Sequence, residues 1–121
     1  SVIYRSDVVD LLARLIMGEA AGESYLGKVA VGAVILNRIK NAAFPSTLAG
    51  VVYQPLAFES VAKGTIWQPI SEEARRAAEQ CLAGWDPTHG AVYFWNPAKP
   101  VNPWVWSRNI ITQIGRHVFA R

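Results

Sequence analysis

The chain has 121 residues, 51% of them apolar and 17% charged, a length that fits one domain with a real core and a composition that excludes intrinsic disorder. Its net charge of +3 comes from basic residues scattered along the sequence. Nucleic-acid binders gather theirs into a stripe or cluster, so no nucleic-acid partner is expected.

Apolar residues at 8, 11, 12, 15 and 16 mark one buried face of a helix over Asp7–Met17, capped by Ser6 or Asp7 and ending about Ala20 or Ala21, ahead of Gly22. Ser24 caps a second helix, "YLGKVAVGAVILNRIKN", whose middle is apolar on every side and is therefore expected to be buried on every side. Its small residues Gly27, Ala30, Gly32 and Ala33 let a neighbouring helix approach. "FPSTLAGVVYQ" predicts a turn at Pro45, then a short helix from a cap at Ser46 or Thr47 to about Tyr53. "PLAFESVAKGTIWQP" is predicted as a loop with a small hairpin turning at Lys63-Gly64. Ser71 caps the clearest helix, "EEARRAAEQCLAG", with acids in its first turn and Gly84 after its end. "AVYFWNPAKPVNPWVWSRN" is an irregular aromatic segment, and "IITQIGRHVFAR" returns to a helix or strand on the core. The expected fold is therefore a mostly helical α+β single domain over residues 1–121, with a small β-hairpin or sheet.

The longest apolar run, Val29 to Leu36, falls well short of the roughly 20 residues that a membrane-spanning helix needs, so no membrane span is expected. The opening "SVIYRSDVVD" lacks the pattern of a signal peptide. The lone Cys81 rules out an internal disulfide and a cysteine zinc site, and reads as a small buried filler.

Nine acidic residues are available for acid–base chemistry. Asp7 and Asp10 open the first helix, Glu72 and Glu73 suit the positive end of another, Glu79 lies on a solvated face, and Asp86 starts a turn before Pro87. Glu19, Glu23 and Glu59 remain. Glu19 is three residues past Ile16 and four past Leu15, so it points toward the core side of its helix. Burial and the negative end of a helix dipole both favour the proton-bearing form of a carboxyl group so placed, which suits a general acid; a structural pairing with a buried Arg38 or Arg108 is the alternative. Glu23 reads as a cap or loop acid and Glu59 as a loop acid, and either is a possible second carboxylate. His89 and His117 are too far apart for a helix-spaced metal motif, and no phosphate loop or nucleophile motif appears, so neither metal nor cofactor is expected. Tyr93, Phe94, Trp95, Trp104 and Trp106 lie among prolines and asparagines, where rings serve either to stack on sugars or to fill the core.

"GEAAGESYLGKVAVGAVILNRIK", "FPSTLAGVVYQPLAFESVAKGTIW", "GWDPTHGAVYFWNP" and "WVWSRNIITQIGRHVF" together resemble, in order and spacing, the catalytic domain of the SleB/CwlJ family of cell-wall hydrolases, the spore-cortex lytic enzymes, from about residue 9 to the end. The resemblance implies a lysozyme-like fold of the lytic-transglycosylase type, with the glutamate of "GEA", Glu19, as catalytic acid. It implies cleavage of the β-1,4 bond between N-acetylmuramic acid and N-acetylglucosamine, with anhydromuramic ends; hydrolysis of the same bond by water, or glycan binding without catalysis, are the alternatives. By analogy with the cleft walls of such folds, Gln54, Phe58 and Ser60 face Tyr93, Phe94 and Asn96 across the substrate, with Trp104 beside them. The expected partner is the peptidoglycan glycan strand, met by a monomer outside the cytoplasm, in wall or cortex. Asn37 closes the second helix and fits either the cleft or a structural role. Where the family reads "GEARGE", this chain has Ala21 in place of the arginine, which leaves Glu23 without that guanidinium as a partner.

Overall fold

A computed structural model describes residues 5–121; the first four residues of the stretch read for a leader lie outside the described residues. The helix that is apolar on every side, α2 (Tyr25–Lys40), occupies the centre, with every residue from Gly27 to Ile35 buried. Ser24 caps it as expected, its Oγ accepting the Gly27 N–H at 3.1 Å. On one side of α2 lies α1 (Ser6–Ala20), whose Leu12, Leu15 and Ile16 share a core with Val29 and Ile35. Also on that side is α5 (Glu72–Leu82), which contributes Ala74, Ala77, Ala78 and Cys81. The other side of α2 presents Ala30, Val31 and Val34 to Ala91 and Phe119, which belong to the sheet end of the molecule.

The sheet has three antiparallel strands, β1 (Tyr93–Trp95), β2 (Ile110–Ile114) and β3 (His117–Ala120), in the order β1-β3-β2. Tyr93 pairs with Ala120 and Trp95 with Val118, while Ile114 pairs with His117 on the other side. Both edges of β3 are thus occupied, and all four of its residues are buried. The tail left open as helix or strand is the β2-β3 hairpin, turning at Gly115 with φ +58. That left-handed position is natural to glycine.

Thr47 and Ser71 cap α3 (Leu48–Val52) and α5 in the expected manner. Two expectations change. α1 begins one residue early, after Arg5 and without a side-chain cap. The hairpin predicted at Lys63-Gly64 is helical: α4 (Glu59–Lys63) ends at Gly64, which takes φ +76 and donates its N–H to Val61 O, and a 3-10 turn follows at Thr65–Trp67. Lys-Gly marks a left-handed helix stop as well as it marks a hairpin turn, and here Phe58 and Ile66 bury against α1 in place of a partner strand.

Asn37 has the structural role. Its Nδ2 donates to Asp86 Oδ2 at 2.9 Å and to Ala91 O at 3.0 Å, and Asp86 also accepts from the N–H groups of Thr88 and Gly90. That network leads the chain from α5 into β1. Cys81 is the expected buried filler: burial pushes its thiol up to about 12, and Sγ reaches Val29 O at 3.1 Å. It sits so close to α2 that a Cβ on Gly32 would lie 2.6 Å from Sγ and 3.0 Å from Ile16 Cδ1. Gly32→Ala is expected to cost about 1–3 kcal/mol of stability in urea unfolding. Adding Cys81→Ala should return part of that loss, as a positive coupling in the double-mutant cycle.

Candidate active site

Glu19 lies in the last turn of α1, half-buried, beside the start of α4. Its Oε2 accepts the backbone N–H of Ser60 at 3.1 Å, and among the described residues no other hydrogen bond or ion pair holds it. Arg38 and Arg108, the structural partners considered for it, instead face the ring of Tyr93, each with its guanidinium carbon 5.7 Å from the ring centre. The carboxylate is therefore less enclosed than the helix pattern alone implies. It borders an open, polar groove of about 250 Å³ whose floor is Gly18, Glu19 and Ser60 and whose sides carry Glu59, Lys63, Thr65 and Lys99.

The glycine before Glu19 has a direct physical reason. A Cβ on Gly18 would fall 2.4 Å from Ser60 Cβ and 2.6 Å from its Oγ. Only a residue without a side chain lets α4 come close enough for Ser60 N–H to reach the carboxylate.

The other two candidate acids separate. Glu59 is on the groove but exposed, paired with Lys63 one helical turn on at 2.5 Å. The hydrogen bond and charge of Lys63 hold its carboxyl below the usual value. Glu23 lies outside the groove lining and is committed to Arg116, so it is corrected from a second carboxylate to a structural acid. The Arg116 N–H reaches Oε1 at 3.0 Å and the Arg116 Nε reaches Oε2 at 2.9 Å. Burial pushes the Glu23 carboxyl up, but these hydrogen bonds outweigh it and leave it below its ordinary value. Arg116, at the β2-β3 turn, gives Glu23 the guanidinium that Ala21 cannot, and its Nη2 also donates to Gly22 O at 3.0 Å.

A second depression, of about 260 Å³, lies between the same two chain segments and brings together Gln54, Tyr93, Phe94 and Trp104 with Arg38 and Leu56. Trp104 is 45% exposed and meets the Tyr93 ring edge-on at 5.2 Å, so one face of the pair stays open to solvent. Trp95, by contrast, is buried as a core aromatic. Three predicted contact residues are placed differently. Ser60 is buried, its hydroxyl included, so it serves the site through its backbone N–H to Glu19. Phe58 is buried behind the wall, stacked on Phe94 at 6.3 Å. Asn96 closes a turn, its Oδ1 accepting the Ala98 N–H at 2.9 Å, and that turn delivers Lys99 to the groove. His117 is buried against Phe94 and Phe119, and desolvation holds its imidazole below the usual value.

Sequence reasoning missed Arg38, Lys63, Thr65 and Lys99 as groove residues. Arg38 carried a signal, a cation at the end of an otherwise apolar helix. The two lysines carried none, since surface lysines look alike in a sequence.

The Cell Wall Hydrolase family model matches residues 22–120. A spore cortex-lytic enzyme of Bacillus cereus is 44% identical over 118 residues, covering 98% of this chain and 46% of that protein. The spore cortex-lytic enzyme of Bacillus subtilis is 45% identical over 97% of this chain and 38% of its own length, so the chain spans less than half of these curated relatives. A crystal structure of the catalytic domain of the Bacillus cereus SleB protein superposes with a TM-score of 0.91 at 43% identity, covering 100% of this chain and 94% of that one. The catalytic domain of a germination-specific lytic transglycosylase SleB from Bacillus anthracis gives 0.92 at 43% identity, with 98% and 97% coverage. These matches bear out the single α+β unit with a small antiparallel sheet.

Two outcomes test the site's construction. Gly18→Ala should push α4 off Glu19 and lower activity at least about tenfold, the equivalent of one lost ~1.4 kcal/mol interaction. Thermal unfolding should show a smaller change. Glu23→Gln should cost about 1–3 kcal/mol at neutral pH, the range for a hydrogen bond to a charged group. Its hydrogen bonds to Arg116 hold the Glu23 carboxyl below its ordinary value in the folded chain, so its contribution is complete above that ordinary value and is lost as pH falls. The stability gap between wild type and Glu23→Gln should therefore close on acidification in urea titrations run from pH 7 to pH 3.

Proposed function

Because the chain belongs to the Cell Wall Hydrolase family, we propose that it is a peptidoglycan lytic transglycosylase that cleaves the β-1,4 bond between N-acetylmuramic acid and N-acetylglucosamine. Glu19 protonates the departing glycosidic oxygen. The resulting carboxylate takes the proton of the muramic acid 6-hydroxyl as that oxygen attacks the anomeric carbon, leaving a 1,6-anhydromuramic end and consuming no water. Its setting acts outside the cytoplasm, on cortex or wall glycan, and degradation of spore cortex at germination is the context its relatives' names favour.

One observation carries this reading. Glu19 is a half-buried carboxyl on a groove, held by the Ser60 N–H and paired with no cation among the described residues. The Ser60 bond holds Oε2 and leaves the other oxygen without a hydrogen-bond partner among the described residues, available for proton transfer. Gln54, Tyr93, Phe94 and Trp104 give a glycan strand rings to stack on and an amide and a phenol hydroxyl to bond, and the positive lysines at the rim suit an anionic polymer.

Glu59 supplies the specific alternative, since it stands on the same groove and would activate water for hydrolysis. Paired-acid hydrolysis places the two carboxyl groups about 5 Å apart for retention or about 6.5–9.5 Å for inversion. Glu59 is exposed and already neutralised by Lys63, which favours the single-acid route. Mass spectrometry of digested glycan separates the two: anhydro ends are expected, and reducing ends would replace the transglycosylase reading with hydrolysis. Glu19→Gln keeps the shape and removes the proton, so it should lower turnover at least about 10³-fold, more than 4 kcal/mol of barrier, with unfolding unchanged. A variant that still bound glycan and matched wild type in every assay would identify a non-catalytic binding module.

A further inference from the structure

Lys28 and Arg38 are the two buried lysine or arginine side chains among the described residues. Lys28, 5% exposed, has Glu73 at 3.4 Å and the Glu23 carbonyl oxygen at 2.7 Å. Arg38, 9% exposed, has no acidic partner among the described residues. Its Nε donates to Val92 O at 2.7 Å, which fixes the plane of the guanidinium, and neither terminal nitrogen has a hydrogen-bond partner among the described residues. Phe44, Phe58 and Tyr93 surround the group at 4.9, 5.3 and 5.7 Å. Burial lowers its pKa only to about 10, so it keeps its charge at neutral pH.

An unpaired buried charge is costly, and rings repay it only in part. The groove supplies what is missing. Arg38 lines the depression that also holds Gln54, Tyr93 and Trp104, so its free nitrogens meet whatever lies there. A planar guanidinium, oriented by one backbone bond and shielded on its faces, matches the two oxygens of a carboxylate.

We propose that Arg38 is a carboxylate receptor in the glycan groove and that it reads the acid carried on the 3-O-lactyl arm of a muramic residue. This rests on the peptidoglycan reading given above. The acid is either that of the bare lactyl group or that of a single amino acid attached to it. Lys99 and Lys63 line the groove that holds Glu19, and Arg38 lines the second, aromatic depression. The receptor therefore acts on a muramic residue two sugars along the strand from the one being cleaved, and it sets which substituted strands enter.

The test uses glycan oligosaccharides with bare lactyl arms or single-alanine arms, each as free acid and as methyl ester. Wild type should cleave the acid form of one of the two series at least tenfold more efficiently in kcat/KM than its ester, with the difference mainly in KM. The series that shows the ratio identifies the source of the carboxylate. Arg38→Met should bring the ratio near one, and Arg38→Lys should reduce it. A purely structural Arg38 would alter unfolding but not the acid-to-ester ratio. Equal wild-type efficiency on acid and ester in both series overturns the proposal without needing any variant to fold, and so does a ratio that survives in Arg38→Met. If no strand is cleaved, the peptidoglycan reading fails separately. The receptor is then decided by titrating wild type with N-acetylmuramic acid or its methyl ester while observing the Arg38 Nε–H resonance, which should shift with the acid alone.

Discussion

The backbone N–H of Ser60 reaches the Glu19 carboxylate across a gap that only Gly18 leaves open, and the rest of the site follows from that approach. With α4 lying almost on the end of α1, the carboxylate is held at the floor of a groove instead of swinging in solvent. The same approach fixes the segment that carries Gln54 into one depression and Glu59 and Lys63 into the other. One backbone contact thus aims the acid and positions one wall.

The opposite wall depends on α2. Its Asn37 ties down the Asp86 loop and its Arg38 holds Val92 O, so the chain enters β1 with Tyr93 and Phe94 already placed. The turn after β1 then swings Lys99 back toward Glu19. A helix buried on every side suits this task, because core packing on α1, α5 and the sheet end leaves it little freedom to move. Rigid support of this kind is what a proton-transfer site needs, since small displacements of the acid weaken catalysis sharply.

Several structural charges are paired across the fold. Asp10 meets Arg75 and Glu23 meets Arg116, links that join distant parts of the chain. Glu19 and Arg38, the two charged side chains of the groove that burial singles out, have no counter-ion among the described residues. An acid free of cations can lend a proton to a bridging oxygen, and a guanidinium free of acids can accept an anion. Their placement in two depressions fits a polymer whose cleaved bond and substituents lie on different sugars.

Much of this was legible in the sequence because local rules decided it. The caps at Ser24, Thr47 and Ser71, the all-apolar α2 and the inward heading of Glu19 follow from side-chain chemistry and helical period. The segment around Gly64 was not, because a left-handed glycine ends a helix as readily as it turns a hairpin, and only packing against α1 chose between them. Nor was the partner of Glu23, since Arg116 lies 93 residues away and meets it only through the β2-β3 turn. The sequence by itself determined the capped helices and which carboxyl group stands out, because those depend on neighbours a few residues apart. Tertiary structure alone decided that Glu59 shares the groove, that Glu23 does not, and that Arg38 is left without an acid, because each depends on which distant segments the fold brings within a few ångströms.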